Sequence, residues 1–412
     1  MNDHWHDELL DRNSGSESIG RRKFLTLMMA ASLSARSGIA QAAEDTRARF
    51  RRMSEEAERR GLAEPFKGIT TDGNVIEGLF PIKPTGVSTA PVRQAAEKFL
   101  ASLTTEQRGK VLFPIDDAEW RKWMNQHFYQ RQGISFQEMT QPQRETAFGL
   151  MSASLSAKGM RQTRDIMRLN ETLAELTGDH EFLGEWLYFI TIMGKPSATE
   201  PWGWQLDGHH SIINYFVLGD QVVMTPHFAG SEPVIATSGK YQGTAILQEE
   251  QAQGLRLIQV LSDTQRKKAI LSFSKTGNNN LTEAFKDNVV LDYAGIRAVE
   301  LPVAQQQQMI ELAGLYIGNM DEGHAKVKMD EVSRHIDSTY FAWIGGTDSA
   351  SVFYYRIHSP VVLIEFDHQR PANLRGPGGN KPTHQHIHTV VRTPNGNDYG
   401  KDLRSCSWQG RG

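Results

Sequence analysis

The chain has 412 residues, 39% of them hydrophobic and 23% charged, with a formal charge of -3; that is enough for one large or two ordinary domains. A charge so close to neutral excludes the electrostatic bias of a nucleic-acid binder. The single cysteine, Cys406, excludes an intrachain disulfide and leaves imidazole and carboxylate as the ligands any metal would use.

Residues 1–42 read as a twin-arginine export signal. A polar leader precedes the Arg21-Arg22 pair, Phe24 to Ala35 form a short apolar stretch, and Ala40-Gln41-Ala42 offer a cleavage site. The stretch is too short to span a bilayer, and no other run has membrane length. The chain is therefore expected in the periplasm or secreted, with the export machinery as a partner and no stable membrane insertion once the signal is removed.

Residues 43–90 combine a charged helix, Glu44 to Arg60, with an irregular Gly/Pro/Thr-rich lead-in. The rest, 91–412, is expected to be a single α+β domain with a helical half (91–195) and a strand-rich half (196–412). In the helical half, "TQPQRETAFGLMSASLSAKGMRQTRDIMRLNETLAEL" has apolar positions three and four apart behind a Thr140 cap with Pro142 in its first turn. The helical reading extends through "HEFLGEWLYFITIMG" to about Ile192.

At Pro201 the pattern turns to strands. Two apolar runs flank Gly219-Asp220, a signal for a two-residue hairpin. Pairing Leu218 with Gln221 and counting back sets Ile212 opposite His227 and His210 opposite Ala229. Helices return over about Thr244–Ser272 and Val303–Met320. Four further runs, "STYFAWIGG", "VFYYRIHSP", "VVLIEFDHQ" and "HIHTVVRTP", predict an antiparallel meander. The fold class is α+β, an antiparallel sheet of hairpin plus C-terminal meander packed with helices.

Ten of the fourteen histidines lie from His209 onward. On a strand, His386 and His388 face the same way, about 6.5 to 7 Å apart, so both can reach one ion. His384, equally spaced, falls in the preceding Pro-containing loop. His209 or His210 of "DGHH" supplies a further ligand, and His227 lies within reach on the hairpin. Nearby carboxylates are Asp207, Glu232, Glu365 and Asp367, with Arg356 on the neighbouring strand as a partner for Glu365. Trp202, Trp204 and Trp343 either line the approach or belong to the core.

The motifs "PWGWQLDGHH", "FAGSEP", "FYYRIHSPVVLIEFD" and "HIHTVVRTPNGNDYG" resemble the domain-of-unknown-function 3500 family over most of the mature chain. Trp204, Gln205, Asp207, Gly208, His209, His210, Arg356, Glu365, His386, His388 and Asp398 match its pattern, and His227 and His384 do not. The terminal "RSCSWQGRG" departs from the histidine-containing tail the resemblance implies.

Imidazoles without thiolate suit copper first, with iron or zinc as further choices. The expected function is an exported metal-dependent enzyme, a copper or non-haem iron oxidoreductase acting on a small organic substrate. Its metal ligands are His209, His210, His386 and His388, and Asp207, Arg356 and Glu365 are its catalytic residues. The alternatives are a zinc hydrolase and a non-catalytic metal- or ligand-binding protein. Neither a GxSxG elbow nor an HExxH motif nor a P-loop occurs.

Overall fold

The computed structural model describes residues 45–403 except 375 and 377. The chain divides into two compact units, 1–52 and 53–412. The export-signal expectation (1–42), Cys406 and the divergent tail lie outside the described residues. Residues 45–61 are helical (α1), as their charge pattern predicts.

The following helices are α2 (Ala90–Ser102), α3 (Thr105–Val111), α4 (Gln141–Ser154), α5 (Ala157–Thr177), α6 (Gln248–Val260), α7 (Asp263–Ala269), α8 (Val303–Ile317) and α9 (Glu322–Arg334). Several start where their sequence dictates. Thr104 and Thr140 close capping boxes with Gln107 and Gln143, and Ser156 accepts from Gly159. The helix α9, capped by Asp321, has no counterpart in the sequence reading, because its apolar stripe is thin.

The strands are β1 (Leu112–Phe113), β2 (Ile134–Ser135), β3 (Tyr188–Met193), β4 (Trp202–Gly208), β5 (Ser211–Leu218), β6 (Gln221–Val223), β7 (His227–Ser231), β8 (Ile270–Ser272), β9 (Ile296–Arg297), β10 (Tyr340–Gly345), β11 (Phe353–His358), β12 (Leu363–His368) and β13 (Ile387–Arg392). They form one thirteen-stranded, mostly antiparallel sheet whose main path runs β1-β3-β4-β5-β7-β13-β12-β11-β10-β8. The predicted C-terminal meander is present as β10 to β13.

Two expectations are corrected. The segment read as helical up to Ile192 contains β3, whose burial is nearly continuous; a short apolar run buried on both sides carries no period that separates strand from helix. The hairpin does close with Leu218 opposite Gln221. One extra residue between Val223 and His227 then shifts the return strand, so Ile213, not Ile212, faces His227 and Ser211 faces Ala229.

The two faces of the sheet differ in chemistry. One is apolar: Trp204, Ile213, Tyr215, Phe353, Tyr355 and Ile364 belong to the main core with residues of α4, α5, α6 and α8. Trp204 donates to Ser154 of α4, and Tyr355 donates to the Glu250 carbonyl of α6. Trp202, Trp204 and Trp343 are fully buried there, so the core reading of the tryptophans holds.

The other face carries Arg356, Glu365, Asp367, His388 and Arg392, all buried. It is covered by a long connection running from Lys275 to about Tyr293. Buried charge needs dense hydrogen bonding, and the connection provides it. Glu365 accepts from the Leu281 and Thr282 amides at 2.9 and 3.0 Å, from the Thr282 hydroxyl and from Tyr354. Asp367 accepts from the Asn279 amide and pairs with Lys275 at 2.8 Å. Arg392 joins Asp287 and Asp398, each at 2.7 Å. The connection is thus fixed to the sheet by side chains, not by strand pairing.

A candidate metal centre of three imidazoles

His209 and His210 are the two residues that close the β4–β5 hairpin beyond the Gly208–Ser211 pair. His210 has φ +65, a left-handed conformation that glycine tolerates and a Cβ-bearing residue adopts at a cost. The turn is held on three sides: the His210 amide donates to Asn125, the Gly230 amide donates to the His210 carbonyl, and the Tyr188 hydroxyl donates to the His209 carbonyl. A Cβ at Gly208 would lie 2.1 Å from the Tyr188 ring, so glycine is required for this fit.

His386 immediately precedes β13, and His388 lies within it opposite Gly230. Alternation puts both rings on the polar face, as the sequence predicts. A Cβ at Gly230 would meet the His388 ring at 3.1 Å, so the glycine makes room for the imidazole.

The three Nε2 atoms converge. His210 to His386 is 3.3 Å, His210 to His388 is 3.1 Å and His386 to His388 is 3.0 Å. All three residues are buried, and among the described residues they form a group able to hold a metal ion. Three ligands on one face of an ion with bonds of about 2.0–2.1 Å sit about 2.9 Å apart at right angles and about 3.3 Å apart in a tetrahedron. The observed spacings span that range.

The tautomers support the same arrangement. His386 Nδ1 lies 2.7 Å from the Arg370 carbonyl, which can only accept, so this nitrogen carries the proton and Nε2 presents a lone pair. His388 Nδ1 lies 2.7 Å from the Glu283 carboxylate, so its proton is held there in the same way. Two bare nitrogens 3.0 Å apart have no hydrogen to share, and a cation at their convergence satisfies both.

Electrostatics agree with neutral rings at His210 and His386. Burial, then the neighbouring imidazoles, holds His210 and His386 well below the usual histidine range. Burial works against ionisation of Glu283, but the His388 interaction and the Asn280 hydrogen bond outweigh it and lower the carboxyl.

The other expected site residues fall elsewhere. His209 turns Nδ1 to Asn170 Oδ1 at 2.7 Å and stacks on His210 with ring centroids 3.9 Å apart; it supports His210 and is outside the triad. His227 lies on the apolar face because of the register shift, so its expected reach to a shared ion with His210 is overturned. His384 sits in the preceding turn against Gln251 and the Ala350 carbonyl. Asp207 is bonded to Arg131 at 2.8 Å, and burial lifts its carboxyl to about 6 despite that partner.

Arg356 and Glu365 are directly opposite on β11 and β12, but the expected ion pair does not form among the described residues. The Glu365 carboxylate is taken by the covering connection, and Arg356 Nη2 donates to the Asp292 carbonyl. Burial raises the Glu365 carboxyl against its hydrogen bonds. Glu232 holds the amides of Ala372, Asn373 and Leu374. Glu283 and the Arg370 carbonyl are missing from the sequence reading, since nothing local in "NNNLTEAF" marks a partner 105 residues away.

Fold and cluster together define an α+β protein with a buried three-histidine centre at the ends of the central strands of a mostly antiparallel sheet. A family model described as "Protein of unknown function (DUF3500)" matches residues 85–401, and the chain belongs to that family. No curated protein and no solved structure matches the chain.

Proposed function

We propose that the chain is an exported metal-dependent enzyme in which His210, His386 and His388 hold one divalent transition metal through Nε2. The observation that carries this is the convergence of three Nε2 atoms within 3.3 Å while the Nδ1 atoms of His386 and His388 are tied to oxygen acceptors. Storage or incidental chelation does not require tautomers set by buried partners.

The donor set narrows the metal. Three neutral imidazoles without thiolate or carboxylate suit zinc or copper and lack the carboxylate of the usual non-haem iron triad. Zinc-type hydrolysis of a small organic substrate is the reading best supported. When bound, the ion supplies Lewis acidity and lowers the pKa of a coordinated water. The chain's own residues orient the ligands: Glu283 and the Arg370 carbonyl hold the Nδ1 protons, and the His209 ring backs His210. Copper redox chemistry is the second reading. Trp202, Trp204 and Trp343 lie in the core and do not line the approach to the site, and an aromatic ring packed against His388 is Phe228. No helix among the described residues is long and apolar enough to cross a membrane.

The test is elemental analysis of untagged protein from its native compartment, followed by reconstitution of the apoprotein with zinc and with copper. One equivalent of zinc and zinc-restored hydrolysis of ester or amide substrates are expected. A paramagnetic copper signal with oxygen-dependent turnover would install the second reading. No stoichiometric metal after either treatment would sink both.

A further inference from the structure

A cavity of about 340 Å³ opens on the apolar side of the sheet, toward the end of β13 remote from His386. Its floor includes His227 and Val391, which are directly paired on β7 and β13. Ile317 and Met320 wall it from the end of α8, and Phe80 closes it from the lead-in segment. This volume is that of a small-molecule site.

Two features go beyond an apolar void. His227 is 5% exposed, and no hydrogen-bond partner for its imidazole is found among the described residues. Burial pushes it down to about 4, so the ring is neutral at pH 7 and offers one donor and one acceptor. The imidazole lines the cavity, so its donor and acceptor are met by whatever fills that space. The mouth is basic. Lys83 and Arg334 are exposed lining residues, Arg334 has no acidic partner among the described residues, and the one lining carboxylate, Glu331, is paired with Lys328.

We propose that this cavity is a second ligand site, separate from the three-histidine centre, for an apolar molecule with a carboxylate at one end and a hydrogen-bonding oxygen at the other. The apolar body packs on Phe80, Met320 and Val391, the oxygen meets His227, and the carboxylate stays at the basic mouth. His388 and Val391 lie three residues apart on β13 and on opposite faces, so the site does not share the space of the imidazole cluster.

The test is titration calorimetry of the full mature protein with 10-hydroxydecanoate, with 1,10-decanediol as the uncharged control. Saturable binding of one molecule is expected, weakened about fivefold or more by Arg334→Glu and for the diol, and abolished by His227→Phe. Arg334 is exposed, so its variant keeps the test sound if His227→Phe does not fold. The His386→Ala/His388→Ala protein should bind the acid as wild type does, whatever the fate of the metal reading. Absence of saturable binding, equal affinity for the diol, indifference to Arg334→Glu, or loss of binding in the double histidine variant would each overturn the proposal.

Discussion

The carboxylate of Glu283 lies 2.7 Å from Nδ1 of His388, although the two are 105 residues apart. Glu283 comes from the covering connection, and His388 from the centre of the sheet. What joins them is the grip of Glu365 and Asp367 on the amides of Asn279, Leu281 and Thr282. The carboxylates on β12 therefore act on the site by placing another carboxylate.

Glu283→Gln keeps an acceptor for the His388 proton but removes the charge. Metal affinity should fall about 10- to 100-fold with little change in thermal stability, measured by chelator competition and by calorimetry. Unchanged affinity would show that Glu283 does not tune the ligand.

Removing the grip should act on stability and metal together. Glu365→Ala strands buried donors and a nearby guanidinium, at a cost of about 3 kcal/mol or more, and should weaken metal binding by freeing Glu283. Asp207→Asn, whose carboxylate is bonded to Arg131, should leave metal content at wild-type level. Denaturant unfolding and elemental analysis of the two variants decide the matter. Metal loss in Asp207→Asn alone would invert this assignment.

His210 sits in a turn that prefers glycine. His210→Gly and His210→Ala both remove the ligand and should both lose the metal. In the presence of chelator, the glycine variant should be about 1 kcal/mol more stable than the alanine variant, because only glycine accepts φ +65 without a Cβ penalty. Equal stability would mean that the turn relaxes once the imidazole is gone.

His227 should shape the acid side of the stability profile. In the folded chain its imidazole stays neutral down to about 4, whereas the unfolded chain takes up that proton below about 6.5. Between these values the unfolded state binds more protons, so stability present above pH 6.5 is lost as pH falls toward 4 and the loss levels off below. The contribution is about 3 kcal/mol at its largest. His227→Gln should flatten this limb relative to wild type in urea melts at stepped pH; a variant curve parallel to wild type would refute it.

Much of the architecture follows from local chemistry. Capping residues, the Gly219-Asp220 turn and the alternation of β10 to β13 act within a few residues, so fold class, meander and the shared face of His386 and His388 were legible in the chain. The strand β3 and the weakly amphipathic α9 were not, because burial on both sides erases the alternation of a strand and a thin apolar stripe hides a helix.

The site divides the same way. The sequence by itself determined that imidazoles at 386 and 388 share a face and that a histidine pair precedes β5. Only the tertiary structure decided between His209 and His210, because the choice rests on one left-handed residue in a turn held by Asn125, Gly230 and Tyr188. A single extra residue before β7 sent His227 to the opposite face, and the docking of a strandless connection brought Glu283 to His388. Periodicity reports which way a side chain points, whereas the partner it meets is set by long-range packing of segments whose own sequence carries no period.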